Sequence, residues 1–254
     1  MTDRLVQYRA ERGIARITLD SPHNRNALSA ALMAQLAEAL DRAAADDDVR
    51  AVELTHTGPA FCAGADLTEA RQGGMAAGTQ SLMGLLRQIL ALPKPVLASV
   101  GGHVRAGGMG LVGACDIAVA GPGSTFAFSE VRIGLAPAII SLTTLDLMRP
   151  RAASRYYLTG ATFDAAQAAE MGLITVATTG DDLDGLLAGL LDQIRETSPQ
   201  GAAETKRLLS RARRQRLAAE SEEMAAWSAR LFASEEAQEG IHAFLERRPP
   251  SWRQ

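Results

Sequence analysis

Apolar and polar positions alternate with period two over Ile14-Ala15-Arg16-Ile17-Thr18-Leu19, behind a turn-like Glu11-Arg12-Gly13. This predicts a β-hairpin with the segment from Leu5 to Ala10. Leu32, Leu36 and Leu40 then recur at four-residue spacing after Ser29, a capping residue, and the pattern stops at the acidic run Asp46-Asp47-Asp48. A helix with one apolar stripe is expected there. Short strands are predicted at Ala51 to Thr55, Val96 to Val100, Asp116 to Ala120 and Thr125 to Phe128. A helix is predicted from about Thr79 to Leu92, ended by a Pro-Lys-Pro break. Strands and helices alternate through the first two thirds of the chain, which implies an α/β fold with buried, mostly parallel strands. From Leu183 onward the composition turns to helix formers, so residues 1–182 are read as an α/β core and 183–254 as a helical region.

Composition narrows the function classes. A chain of 254 residues, 47% hydrophobic and 22% charged, builds a sizeable core unaided. The net charge of −3 gives no reason to expect nucleic acid as a partner. The basic run Lys206, Arg207, Arg211, Arg213, Arg214 and Arg216 is balanced by Glu220, Glu222 and Glu223 and reads as a solvated helix face. Apolar stretches such as Val96 to Val104 fall well short of the ~20 residues of a membrane span, and Met1 to Ala10 carries no apolar signal core. A cytoplasmic protein without membrane contact is expected. Cys62 and Cys115 read as packing residues, and the scattered His23, His56, His103 and His242 offer no metal-ligand spacing.

Two glycine-containing segments each follow a strand: Phe61-Cys62-Ala63-Gly64-Ala65-Asp66-Leu67, and Gly101-Gly102-His103-Val104-Arg105-Ala106-Gly107-Gly108-Met109-Gly110. Small residues at such places let backbone N–H groups approach a ligand, and two converging donors make an oxyanion hole. Glycines that only permit tight turns and close packing account for the spacing equally well. Gly108-Met109-Gly110-Leu111-Val112-Gly113 matches a dinucleotide fingerprint, but that motif needs its glycines directly after the strand, whereas Gly101 to Gly107 intervene. Glu130 closes the aromatic stretch Phe126-Ala127-Phe128, surroundings that raise a carboxyl pKa and suit it to proton transfer near neutrality. Taken alone, an ordinary acid at a strand end explains it too. Gly-x-Ser-x-Gly and Walker motifs are absent.

In their order these segments resemble the enoyl-CoA hydratase/isomerase, or crotonase, family over nearly the whole chain. Asn24-Arg25-Asn26-Ala27-Leu28 is similar to its early CoA-binding segment, Phe61 to Leu67 to its first oxyanion loop, and Ala106-Gly107-Gly108 to Cys115-Asp116 to its second. Phe128 to Gly134 is similar to its acid/base segment and Phe244-Leu245-Glu246-Arg247-Arg248 to its tail signature. The resemblance implies a spiral of strand-strand-helix repeats, none of them legible in the residues. It also implies a C-terminal helical region that covers the CoA site and packs in a homotrimer or a hexamer. The substrate would be an acyl-CoA thioester, with no separate cofactor. Ala65 and Gly107 would supply the oxyanion N–H groups and Glu130 the acid/base. Arg25, Ala27, Ala63, Asp66, Leu67, Gly108, Pro137, Ala138 and Arg247 would bind substrate, with Arg25 and Arg247 near the CoA phosphates.

Gly110 stands where two-glutamate hydratases of the family carry their first glutamate, so this chain keeps one of the pair. Pro-Ala-Ile-Ile-Ser at 137–141 resembles a branch that includes methylglutaconyl-CoA-type hydratases. The expected activity is hydration of a 2-enoyl-CoA. A 3,2-enoyl-CoA isomerase is the first alternative, and a catalytically weak acyl-CoA-binding scaffold is the reading from a different class.

Overall fold

The computed structural model describes residues 4–69, 75–180 and 182–253. The hairpin forms as expected: β1 (Val6–Glu11) and β2 (Ile14–Leu19) pair antiparallel, with Val6 opposite Leu19 and Glu11 opposite Ile14. Helix α1 (Ala30–Ala45) begins where Ser29 Oγ accepts the Leu32 N–H at 3.2 Å, and Leu32, Leu36 and Leu40 are fully buried.

Two sheets carry the rest. The first has the order β1-β2-β3-β5-β7-β10, with β3 (Ala51–His56), β5 (Val96–Val100), β7 (Ile117–Ala120) and β10 (Val176–Ala177) continuing parallel from β2. The second has the order β4-β6-β8-β9. Here β4 (Ala60–Cys62), β6 (His103–Arg105) and β8 (Thr125–Ala127) are parallel, and β9 (Phe163–Asp164) is antiparallel. The chain therefore alternates between the sheets and then enters a helix. After β3 and β4 come α2 (Leu67–Glu69) and α3 (Met75–Ala91); after β5 and β6 comes α4 (Gly107–Ala114); after β7 and β8 come a 3-10 turn (Ser129–Ile133) and α5 (Ala138–Thr144). The strand-strand-helix repeat is thus present in space. Its second strands are three residues long, too short for a period-two pattern to be read.

Helix α4 forms from Gly-Gly-Met-Gly-Leu-Val-Gly-Ala, a poor helix former by propensity. Burial overrides propensity here, since all eight residues are inside. A Cβ on Gly108 would lie 2.7 Å from Cys62 Cβ, one on Gly110 2.7 Å from Ile140 Cγ2, and one on Gly113 2.7 Å from the Thr143 carbonyl. The glycines of the dinucleotide-like pattern serve close packing of α4 against β4 and α5.

Helices α6 (Pro150–Thr159) and α7 (Ala165–Glu170) lead to α8 (Leu183–Arg195), α9 (Pro199–Leu209), α10 (Arg211–Phe232) and α11 (Glu235–Leu245). The described residues from 183 onward are predominantly helical, as composition implies, yet α8 is tied to the core. Its Leu187 and Leu191 pack with Ile14, Ala51, Leu97 and Val119 of the first sheet. The basic run also departs from a plain solvated face. Lys206 is buried, its Nζ 2.8 Å from Asp116 Oδ2 and donating to the carbonyls of Ile89 and Lys94 at 2.8 and 3.0 Å, while Arg213 donates to the Gly113 carbonyl. A buried ammonium persists only with such a complete set of partners. Arg207, Arg211 and Arg214 are exposed. Among the described residues no helix is long and apolar enough to cross a membrane.

Candidate active site

Cys62 pairs with Val104 and Val104 with Phe126, so β4, β6 and β8 run side by side in one direction. Ala65 lies three residues beyond β4, Gly107 two beyond β6 and Glu130 three beyond β8. Three residues far apart in sequence therefore leave the same edge of one sheet. The carboxyl ends of parallel strands are where α/β folds place their ligands.

The first two loops meet. Gly64 takes φ 94°, a conformation that only glycine adopts cheaply. A Cβ there would stand 2.7 Å from Ala106 Cβ and 3.6 Å from the Gly107 nitrogen. Ala106 itself has φ 46° and ψ −119°, a strained setting for a residue with a side chain, immediately before Gly107 opens α4. As the first residue of a helix, Gly107 has an N–H with no partner inside the helix, and the helix dipole adds to its positive end. Ala65, the residue after Gly64, is exposed. The chain from 25 to 28 fastens this arrangement: the Ala63 N–H donates to the Arg25 carbonyl at 3.0 Å and the Leu28 N–H to the Gly64 carbonyl at 2.8 Å. Asn26, buried at φ 55°, accepts from the Ser21 N–H and donates to the carbonyls of Thr57 and Ala60.

Glu130 sits in the 3-10 turn, whose end is closed by Gly134 at φ 76°. Its Oε2 is buried with no hydrogen-bond partner among the described residues. Burial pushes its pKa up from 4.5 to about 7, offset in part by its own backbone N–H. A carboxyl of this kind is present in both protonation states near neutrality. Phe128, wholly buried, stacks on Tyr157 with ring centroids 4.1 Å apart. Helix α11 backs the turn: a Cβ on Gly134 would lie 2.7 Å from the Glu236 carbonyl carbon, and one on Gly240 2.5 Å from Ile133 backbone.

The other expected site residues fall into two groups. Arg25 is exposed on the first-loop side, and Ala27 is buried beneath it. Ala63 and Leu67 are half-buried, while Asp66 Oδ1 accepts the N–H groups of Thr68 and Glu69 and so caps α2. Gly108 faces Cys62. Pro137 and Ala138 are buried at the start of α5. Arg247 is exposed two residues beyond α11, at φ 56°. Of the apolar residues on α3, Leu82 reaches the site, its Cδ2 3.4 Å from where a Gly107 Cβ would be; Met83, Leu85, Leu86 and Ile89 are core. Arg105 is committed to the carbonyls of Val104 and Thr125 and to Thr125 Oγ1. Sequence reasoning missed Tyr157, whose ring packs on Phe128 and whose hydroxyl meets Thr144 Oγ1. A surface cavity of about 560 Å³ between β1 and α1, lined by Tyr8, Gln35 and Arg42 among others, is separate from these strand ends.

Residues 9–254 match the enoyl-CoA hydratase/isomerase family. An enoyl-CoA hydratase structure from Mycobacterium avium is 51% identical with a TM-score of 0.92, covering 99% of this chain and 100% of that one. The mevalonyl-coenzyme A hydratase of Aspergillus fumigatus is 32% identical over 93% of this chain and 90% of its own length. The 2,3-dehydroadipyl-CoA hydratase of Escherichia coli is 30% identical over 98% of each. The chain belongs to the enoyl-CoA hydratase/isomerase family.

Proposed function

We propose that the protein adds water across the double bond of a 2-enoyl-CoA, with Glu130 as the proton-transferring group. The observation that carries this is a buried carboxyl oxygen, Glu130 Oε2, with no hydrogen-bond partner among the described residues, in the segment that follows one of three adjacent parallel strands whose neighbours lead to the Ala65 and Gly107 N–H groups. The thioester oxygen would accept from the N–H groups of Ala65 and Gly107. Attack of water at C3 develops enolate charge on that oxygen, and each donor of this type contributes roughly 3 kcal/mol to a transition state. Glu130 as carboxylate takes one proton from the water as the hydroxyl joins C3, then returns it to C2, so a single group handles both transfers. Its pKa of about 7 suits both roles.

A second reading, 3,2-enoyl-CoA isomerisation by the same carboxyl, is favoured by the packing at Gly110. Ile140 fills the space a side chain at 110 would enter, so the wall there is apolar and holds no second carboxylate. Because Arg105 is occupied by backbone and Thr125, it gives no support to a carboxylated acyl chain. Exposed Trp227, Phe244, Leu245 and Trp252 in the C-terminal region support a homotrimer or hexamer. A cytoplasmic location is part of the same proposal.

The test is loss of conjugated-thioester absorbance with short, long and branched 2-enoyl-CoAs, wild type against Glu130→Gln, with product mass to identify hydration. Absorbance loss abolished by the substitution is expected. No loss with any of these, together with a gain of absorbance from 3-enoyl-CoAs, would replace hydration by isomerisation.

A further inference from the structure

Asn26 is wholly buried and spends its side-chain amide on main chain. Its Oδ1 accepts the Ser21 N–H at 2.7 Å, and its Nδ2 donates to the carbonyls of Thr57 at 3.0 Å and Ala60 at 2.8 Å. Those two carbonyls flank the turn between β3 and β4, and Ala60 opens β4. The amide therefore ties the 21–26 segment to the strand that runs into the first loop. The backbone is constrained here too. Arg25 at φ 60° and Asn26 at φ 55° are consecutive left-handed residues, a conformation that costs energy in a residue with a side chain and that asparagine tolerates better than most. From this bend two hydrogen bonds reach the loop: the Arg25 carbonyl accepts the Ala63 N–H, and the Leu28 N–H donates to the Gly64 carbonyl. Leu28 also forms a parallel bridge with Ala65. Ala63 and Gly64 are thus held on one side, while the Ala65 N–H has no partner among the described residues.

We propose that Asn26 is a positioning residue for the Ala65 N–H, its amide fixing the left-handed bend whose main chain clamps Ala63 and Gly64 in front of that donor. This rests on the reading of Ala65 and Gly107 as the donors to the thioester oxygen. The second donor depends on the same clamp, because a Cβ on Gly64 would stand 2.7 Å from Ala106 Cβ and 3.6 Å from the Gly107 nitrogen, and one on Gly107 2.7 Å from Leu28 Cδ1. A shift of the 25–28 segment therefore moves both loops against each other. The chemistry at position 26 is demanding: one acceptor and two donors are used, and of the side chains with this outline only a primary amide supplies them. Aspartate keeps the acceptor but turns the two donors into an oxygen facing two carbonyl oxygens.

The experiment reads the donors directly. Butanoyl-CoA labelled with ¹³C at the thioester carbonyl is bound to the full chain, and the lowering of its carbonyl stretch is measured by difference infrared spectroscopy, alongside kcat and KM for 2-enoyl-CoAs. Asn26→Asp is expected to lose part of the wild-type lowering and to reduce kcat about tenfold to a hundredfold, with KM little changed, since the donors act more on the transition state than on the bound substrate. Asn26→Gly removes the side chain without straining φ 55° and serves the same test if a buried aspartate prevents folding. Ser198→Ala, which removes the hydroxyl that accepts the Gly201 N–H at the start of α9, should lower thermal stability and leave the stretch and kcat as in wild type. Folded Asn26 variants with the wild-type stretch and kcat overturn the positioning role. A fall in kcat with an unmoved stretch overturns it as well. A wild type that binds butanoyl-CoA without lowering its stretch overturns the reading of the two donors, and this inference with it. If the stretch responds as expected while wild type hydrates none of the 2-enoyl-CoAs, the positioning role stands and hydration fails.

Discussion

Glutamine at position 130 keeps the outline of the side chain and removes its charge, and the sign of the resulting stability change follows from burial. The folded protein holds the Glu130 proton more tightly than the unfolded chain, with pKa values of about 7 against 4.5. Below the unfolded value both states are protonated and the group costs nothing. As pH rises past it the unfolded chain ionises first, so stability falls until the folded carboxyl also ionises near 7 and the penalty levels off. At about 1.4 kcal/mol per pKa unit the full penalty approaches about 3 kcal/mol. Glu130→Gln escapes it. The variant should match wild type at about pH 4 and exceed it by up to about 3 kcal/mol at about pH 8, while losing turnover. Paired urea denaturations across that range, with equal slopes, measure the difference. A gap that does not widen with pH, or a variant less stable than wild type at the alkaline end, would refute the assignment of Glu130 as a carboxyl strained by burial.

Gly64→Ala would drive a Cβ into Ala106 and force a side-chain residue to φ 94°; kcat/KM should fall about a hundredfold or more as the two N–H groups lose alignment, read by steady-state kinetics. Gly110→Glu alone should destabilise by about 1–3 kcal/mol because Ile140 occupies the space. Combined with Ile140→Gly it should retain the fold better, and a denaturation comparison of the two variants checks this. Lys206→Ala leaves Asp116 uncompensated and should cost about 3–5 kcal/mol, more than Lys206→Met/Asp116→Leu, in which no charge is stranded.

The hairpin and α1 were legible because each spans enough residues for its period to show, and Ser29 marks the helix start. Glu130 stood out by its aromatic neighbours and Ala65 and Gly107 by the family resemblance, yet what brings them to one end of a sheet is β4, β6 and β8, strands of three residues each. Helix α4 was hidden by its glycines, whose low propensity is overruled by Cys62, Ile140 and Thr143 pressing on them. Lys206 was disguised by basic neighbours, since nothing in a run of like charges tells which one turns inward. Tyr157 meets Phe128 only through contacts made by folding, and no local pattern announces it.

Gly134 and Gly240 lie 106 positions apart and bring two stretches of main chain together with no side chain between them. The last helix is in this sense the anvil on which the turn carrying Glu130 rests. Anything that disturbs the carboxyl-terminal end, whether an affinity tag, a proteolytic nick or a fusion, will be read in activity assays as if it were a substitution near Glu130. Tagging at the amino end, next to β1, avoids that confusion.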